Sequence, residues 1–333
     1  MTRCRNILAA LGAATAASVL CLAQPAPAQP SADQVLTDMG LSSDDKQRVL
    51  NGEFVASDVT NVSDRDLSMS IAFVVKTSPD SLAKQVVAGK LVKDDPQVQL
   101  EGEFKGPGSL ADLAALKITA DEARTLSAAK AGAALNLSGG EIAAFKALQG
   151  GTPQAVQQQL QQMLLARFQA YQTSGLAGIA AYDRGGSTSD AAADLRKASE
   201  AAAGLKKYLP AFQQVLVGYP QATMPGMQQR FRWLKYNIDG TITYVLTHTL
   251  VAAEGAARVV AQRQYYVSTT YNAEQAVVGF LPVQEGTVVA YINHTFTDQV
   301  AGFGGSAKRS IGRKMMASKL KQMFDKTRQK IAQ

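Results

Sequence analysis

The residues best suited to chemistry are two histidines, His248 and His294, each inside a stretch with the composition of a β-strand. Side chains alternate across a strand, so each histidine shares a face with aromatic or aliphatic neighbours. If both faces point inward, one cavity has these candidate lining residues: Tyr244, His248, Tyr265, Tyr271, Ile292, His294, Phe296 and Asp298. The alternative interpretation is a buried, hydrogen-bonded histidine on each strand.

Metal and thiol chemistry are not predicted. The only cysteines, Cys4 and Cys21, lie near the N-terminus in a segment expected to be removed, and a structural zinc ion takes four ligands, more than two histidines supply. The G-x-S-x-G motif of a nucleophile elbow does not occur. No metal and no cofactor are therefore expected. An enzymatic reading has to rest on His248 or His294, acting with Asp298 or a tyrosine.

A glycine-rich turn, Gly302-Phe-Gly-Gly305, precedes Lys308 and Arg309 and superficially resembles a phosphate-binding loop. Ala307 replaces the glycine before the lysine, and Arg309 stands where that motif has Ser or Thr. Free N–H groups at the start of a helix attract anions, so Lys308 and Arg309 are candidates for binding an anionic head group. A plain helix entrance is the alternative.

Residues 1–28 have the pattern of a secretory signal: Arg3 and Arg5, an apolar segment from Ile7 to Leu22, and a small-residue cleavage site at Ala26-Pro-Ala28. The mature chain, residues 29–333, is then expected to be periplasmic or secreted. It is long enough to bury a core without disulfides. We expect a single domain.

The formal net charge is +7, with 34 basic and 27 acidic residues, and the positive charge is concentrated at the C-terminus. Nine basic residues and one acidic residue lie between Ser306 and Gln333. A basic character confined to one helix argues against nucleic-acid binding. It is compatible with contact to an anionic membrane surface, or with a solvated outer helix face.

The order of apolar and turn residues predicts an α+β fold. Four or five antiparallel strands are expected between Arg230 and Thr297, joined by turns such as Asp239-Gly240. One long helix is predicted from about Ser306 to Ile331, and its apolar stripe needs a broad surface to lie on. Residues from about 110 to 219 are predicted to be mostly helical, as an insertion; a separate helical domain stays open.

This order of elements resembles the START-like helix-grip fold of the SRPBCC superfamily. The resemblance rests on Arg263-Gln-Tyr-Tyr-Val267, Gly279-Phe-Leu-Pro282, Gly286 to Ile292, Thr297-Asp298 with the glycine turn, and Leu67 to Val87. It covers about half of the mature chain. It implies a curved antiparallel sheet that grips the C-terminal helix around an apolar tunnel, with a lipid, sterol or other apolar ligand. Some family members are hydrolases or cyclases, but no catalytic residue is transferred, because no catalytic motif matches.

Together these features favour an exported binding protein for a lipid or another apolar small molecule, held between sheet and C-terminal helix. Two other classes stay open: a periplasmic hydrolase or isomerase, and an envelope interaction or scaffold protein without a ligand.

Overall fold

A computed structural model describes residues 30–87, 95–302, 304–305, 307–314, 317–318 and 321. Within them the fold is α+β with a large antiparallel sheet, as the sequence predicts. The predicted signal, residues 1–28, and much of the predicted C-terminal helix lie outside the described residues.

The strands are β1 (Val55–Asp58), β2 (Asp66–Val75), β3 (Val98–Glu103), β4 (Tyr182–Asp183), β5 (Thr188–Ser189), β6 (Gln228–Ile238), β7 (Thr241–Glu254), β8 (Ala257–Val267), β9 (Ala273–Val283) and β10 (Gly286–Phe296). An eight-stranded sheet has the order β1-β2-β10-β9-β8-β7-β6-β3, and all its neighbouring strands are antiparallel. Strands β4 and β5 pair apart from it.

Strands β6 to β10 form the meander that the turn signals predict. The two-residue turn between β6 and β7 has positive φ at Asp239 (49°) and Gly240 (88°), which matches the twist of a hairpin. The N-terminal strands then extend the sheet at both ends, because β2 pairs with β10 and β3 pairs with β6. Pairings this distant in sequence have no local signal.

The helices are α1 (Ala32–Asp38), α2 (Ser43–Leu50), α3 (Pro79–Val87), α4 (Ala120–Ser127), α5 (Gly139–Lys146), α6 (Pro153–Ser174), α7 (Ala191–Ala201), α8 (Ala203–Tyr208) and α9 (Pro210–Gly218). Helices α4 to α9 lie between β3 and β6, where the sequence predicts mostly helix. Capping boxes start two of them: Thr119 with Glu122 in α4, and Ser138 with Glu141 in α5.

The two faces of the sheet have different coverings. We call the helix face the one that carries His248 and Arg263, because side chains of α6 and α7 contact these residues. We call the second face the one that carries Thr247 and Gln264, the register neighbours on the opposite side of the pleat. Helix α3 packs on the second face through Leu82, in a cluster with β-sheet residues.

The C-terminal segment meets the sheet at the edge formed by β1 and β2. Residues 307–314 are helical, and Arg309 donates hydrogen bonds to the carbonyl oxygens of Asp64 (2.9 Å) and Val300 (3.3 Å). Gly312 lies so close to Leu67, a second-face residue, that a Cβ atom there would be 3.0 Å from its Cδ2. No helix among the described residues is long and apolar enough to cross a membrane.

Candidate functional site

His248 lies within β7 on the helix face and is completely buried. Its Nδ1 is 3.1 Å from Tyr171 Oη, its Nε2 is 3.2 Å from Gln229 Oε1, and its ring stacks on Phe231. Burial, and then the positive charge of Arg263, lowers the pKa of His248 well below its ordinary value of 6.5. The ring is therefore neutral at neutral pH, since a desolvated imidazole disfavours its charged form.

His294 lies on the same face but has a different partner. Its Nδ1 is 3.0 Å from Asp66 Oδ2, and both side chains are buried. The same carboxylate oxygen accepts a hydrogen bond from the backbone N–H of Val62 at 2.8 Å. The contacts of His294 are thus those of a histidine held in place by a buried carboxylate at the start of β2.

The two histidines stand in one cross-strand row on the helix face. Register places His248 opposite Arg263, Arg263 opposite Gln275, and Gln275 opposite His294. Strands lie about 4.8 Å apart, so three intervals separate the two rings by roughly 14 Å. The structure therefore puts them on one face without bringing them together, and one small group cannot contact both.

Arg263 occupies the position between them and is 1% exposed. Its guanidinium donates to the Oη of Tyr171 (3.1 Å), the Oε1 of Gln275 (2.7 Å), the Oγ of Ser199 (3.2 Å) and the carbonyl of Leu216 (2.8 Å). Each acceptor is uncharged. Because Tyr171 accepts from Arg263, its own proton goes to Nδ1 of His248, and the histidine hydrogen then sits on Nε2. This network joins β8 and β9 to α6, α7 and α9.

The other predicted pocket residues are spread over several environments. Tyr244 donates to Glu122 (2.9 Å), and the Tyr265 ring stacks on Tyr171 with centroids 3.9 Å apart. On the helix face, Ile292 is partly buried and Phe296 is fully buried, whereas Tyr271 donates to Gln264 on the second face.

Asp298, Lys308 and Arg309 lie away from both histidines' immediate contacts. Asp298 accepts hydrogen bonds from Arg184 Nε and Asn272 Nδ2, each at 3.0 Å. Lys308 is exposed, and Arg309 binds backbone carbonyls. A ligand role for these residues stays a prediction.

A row of polar side chains, not predicted from the sequence, crosses the second face. Register aligns Thr295 of β10, Glu274 of β9, Gln264 of β8, Thr247 of β7 and Arg232 of β6. Polar groups in the middle of a sheet face are unusual unless they are hydrogen-bonded or face a polar partner. The row is thus a candidate binding surface.

Glu274 lies in this row between Thr295 and Gln264. Its Oε1 accepts from Gln264 Nε2 (3.1 Å), and its Oε2 is 3.0 Å from Thr295 Oγ1. Thr295 Oγ1 is also 2.9 Å from Asn293 Oδ1, and one hydroxyl proton cannot serve two acceptors. The Thr295 hydroxyl therefore donates to one of these two oxygens at a time. Burial raises the pKa of Glu274 above its ordinary value, and the hydrogen bonds from Thr295 and Asn293 act in the opposite direction.

Tyrosine hydroxyls surround the carboxyl group. Burial and the nearby Glu274 raise the pKa of Tyr271 and the pKa of Tyr291. Burial, Asp95 and Glu274 together raise the pKa of Tyr236. All three side chains are partly exposed and stay protonated at neutral pH. They therefore present O–H groups, and no full charge, to this part of the second face.

The rest of the second face is apolar. Residues of α3 and of five strands form one cluster there: Leu82, Ala83, Val260, Phe280 and Val289, with Phe73, Val75, Val251 and Val278 packed against it. Several members, Val278 among them, remain partly exposed. The second face thus combines an apolar part and a polar row.

A sequence signal for this row does exist. In β10, Tyr291, Asn293 and Thr295 alternate with Ile292 and His294, so both parities of the strand carry polar groups. The histidines favour the opposite side of the strand as the functional one, because histidine is the commonest general acid or base. Packing of the whole sheet decides which of the two alternating sets of side chains faces a covering helix.

Comparisons with protein families, with curated proteins and with solved structures find no match for this chain.

Proposed function

We propose that this protein binds an apolar or amphipathic molecule between the second face of the sheet and the C-terminal helix. The observation that carries the proposal is the composition of the second face, where an apolar cluster borders a row of polar side chains. On the helix face, side chains and backbone of α6, α7 and α9 bind the buried Arg263 directly.

The C-terminal segment supports this arrangement at the sheet edge. A cavity of about 200 Å³ lies between helical residues Ser310 and Ala317 on one side and Ala56 and Met69 on the other. The proposal includes the helix predicted over residues 306–331, held against the sheet in the helix-grip manner.

Export and membrane contact complete the proposal. Residues 1–28 direct the chain to the periplasm or out of the cell, and the basic tail meets an anionic membrane surface when ligand is taken up or released. Protein purified from a periplasm is expected to begin at Gln29 in N-terminal sequencing. An uncleaved N-terminus would contradict the export step.

Binding is tested by native mass spectrometry of the purified protein with lipid extraction, and by titration with N-phenyl-1-naphthylamine, an uncharged apolar fluorophore. We expect a co-purifying small molecule and a saturable rise in fluorescence. Val278→Lys places a charge on the apolar part of the second face and should raise the Kd for the fluorophore at least about ten-fold, since burying a charge against apolar surface is unfavourable.

The matched control is Leu110→Lys, an exposed leucine outside the sheet, which should leave the Kd unchanged. Circular dichroism checks that both variants are folded. An empty protein that also fails to bind the fluorophore would contradict the proposed function, and equal effects of the two lysines would show that binding occurs elsewhere.

A further inference from the structure

A cavity of about 320 Å³ opens to solvent in the helical layer, where α6 and α9 both end beside α7. It is lined by the last residues of α6, the short turn after them, Arg196 of α7 and the chain that leaves α9. Volumes from about 300 Å³ upward are typical of small-molecule sites. No residue of the second face lines this cavity, and every residue that does belongs to the described part of the chain.

The base of the cavity is fixed in place by the packing beneath it. Leu176 and Tyr219 are its two buried lining residues, and the Tyr219 ring packs against His248 with centroids 4.6 Å apart. The chain at Gly175 passes directly against the carbonyl group of Tyr219. Because this base is already ordered, a ligand loses little binding free energy in organising it.

Arg196 is the only charged residue among those that line the cavity, and it is exposed. No described residue forms a hydrogen bond or an ion pair with its guanidinium, and Glu200, one turn further along α7, does not pair with it. The hydroxyl groups of Thr173 and Ser174 and the amide of Gln221 supply further hydrogen-bond donors around the cavity. A planar guanidinium without a partner can bind a carboxylate through two parallel N–H···O bonds.

Two helix ends act against an anion at this place, because the C-terminus of a helix carries partial negative charge. At α9 this charge is already compensated: the carbonyl of Leu216 accepts from Arg263 (2.8 Å), and that of Gly218 accepts from the backbone N–H groups of Gln221 and Ala222 (3.0 Å each). The end of α6 is left. One helix end changes an affinity about two- to five-fold, whereas a hydrogen bond to a charged group changes it at least about ten-fold. The guanidinium therefore decides which ligand charge the cavity accepts.

We infer that this cavity binds a small organic monocarboxylate, with its carboxylate on Arg196 and its apolar part beside Val217 and Tyr219. One guanidinium balances one negative charge, whereas a phosphate monoester carries about two at neutral pH, so a carboxylate is favoured. The site is separate from the one proposed on the second face, and either proposal can fail without the other.

The test is a ligand-observed NMR titration of the purified protein at pH 7 with four compounds that share a benzene ring: benzoate, phenyl phosphate, benzamide and benzylamine. We expect the Kd for benzoate to be the lowest, and at least about ten-fold below the values for benzamide and benzylamine, since only an anion pairs with Arg196. Benzamide has nearly the shape of benzoate without its charge, and benzylamine measures any attraction of a cation to the helix ends.

Arg196→Gln should raise the Kd for benzoate at least about ten-fold and leave the Kd for benzamide unchanged. The matched control is Lys197→Gln, which removes the same charge from the next exposed residue of α7 and should change the Kd for benzoate by less than about two-fold, because exposed charges are screened. Gln221→Glu adds a carboxylate to the cavity and should also weaken benzoate binding. All three positions are exposed, and circular dichroism checks that the variants are folded.

Equal Kd values for benzoate and benzamide, tighter binding of benzylamine or phenyl phosphate, or equal effects of Arg196→Gln and Lys197→Gln would each overturn the inference. A Kd for benzoate above about 10 mM would overturn it too. None of these variants lies on the second face, so the fluorophore titration tests the proposed function separately.

Discussion

Arg263 and His248 show how single residues hold the helix face together. Arg263 places a buried guanidinium among uncharged acceptors that belong to four different elements of the fold. Its charge cannot be neutralised, because arginine stays protonated, so the surrounding groups adapt to it. Tyr171 turns its proton toward His248, and His248 stays neutral.

The neutral state of His248 predicts a pH dependence of stability. The folded protein holds this histidine with a lowered pKa, while the unfolded chain protonates it below about pH 6.5. The unfolded state then binds more protons, so the stability linked to His248 is present above pH 6.5 and is lost as the pH falls. Between pH 7 and 5.5 the loss is about 1 kcal/mol.

His248→Asn keeps a hydrogen-bonding group near the position of Nδ1 and cannot be protonated. Urea unfolding of both proteins at the two pH values gives the comparison, and the change between pH values should be about 1 kcal/mol smaller in the variant. Other titrating groups, Glu274 included, are common to both proteins, so their contributions to the pH dependence cancel in the comparison. An identical pH dependence would show that His248 is not the group responsible.

At the scale of elements, the end of α6 has to pass very close to the chain that leaves α9. Gly175 follows α6 with φ of 57°, and a Cβ atom there would lie 1.9 Å from the carbonyl oxygen of Tyr219. Only glycine allows both this backbone conformation and this approach. The close contact seats Tyr219 against His248, where the ring centroids are 4.6 Å apart.

Gly175→Ala should therefore lower the free energy of unfolding by more than the strain of a positive φ alone would. The matched control is Gly226→Ala, which also has positive φ (70°) but open space around the position of its Cβ. We expect about 1–2 kcal/mol for the control, from left-handed backbone strain, and at least about 2 kcal/mol more for Gly175→Ala. Urea unfolding measures both. Equal losses would mean that Tyr219 moves aside freely.

At the scale of the whole molecule, the sheet is built from strands far apart in the sequence. Strands β7, β8 and β9 each have two paired neighbours, whereas β1 and β3 are the edges. Backbone amides of inner strands open only with the sheet, and amides on the free side of an edge strand exchange more readily.

Hydrogen exchange followed by mass spectrometry should thus show the strongest protection in β7, β8 and β9. Peptides from β1 and β3 should exchange at least about ten-fold faster. Slow exchange in β3, equal to that of β8, would contradict the described edge and would indicate that another chain pairs with it. The same measurement with and without bound fluorophore should show added protection in β9, which carries Val278 and Phe280 of the apolar cluster.

Much of the local structure could be predicted from the sequence. The hairpin at Asp239-Gly240, the capping box at Thr119 and the helical character of the middle segment all depend on residues close together in the chain. The α+β class and the meander of β6 to β10 follow from these local signals, because short turns join neighbouring antiparallel strands.

The sequence by itself also determined which residues are available for chemistry: two histidines, no cysteine after Cys21, and a basic C-terminus. Only the tertiary structure decided their surroundings. It placed Arg263 and Gln275 between the histidines, paired β2 with β10 to bring Asp66 to His294, and assembled the row of Thr247, Gln264 and Glu274. The physical reason is that alternation along a strand gives two faces, and long-range packing selects which face is covered by helices.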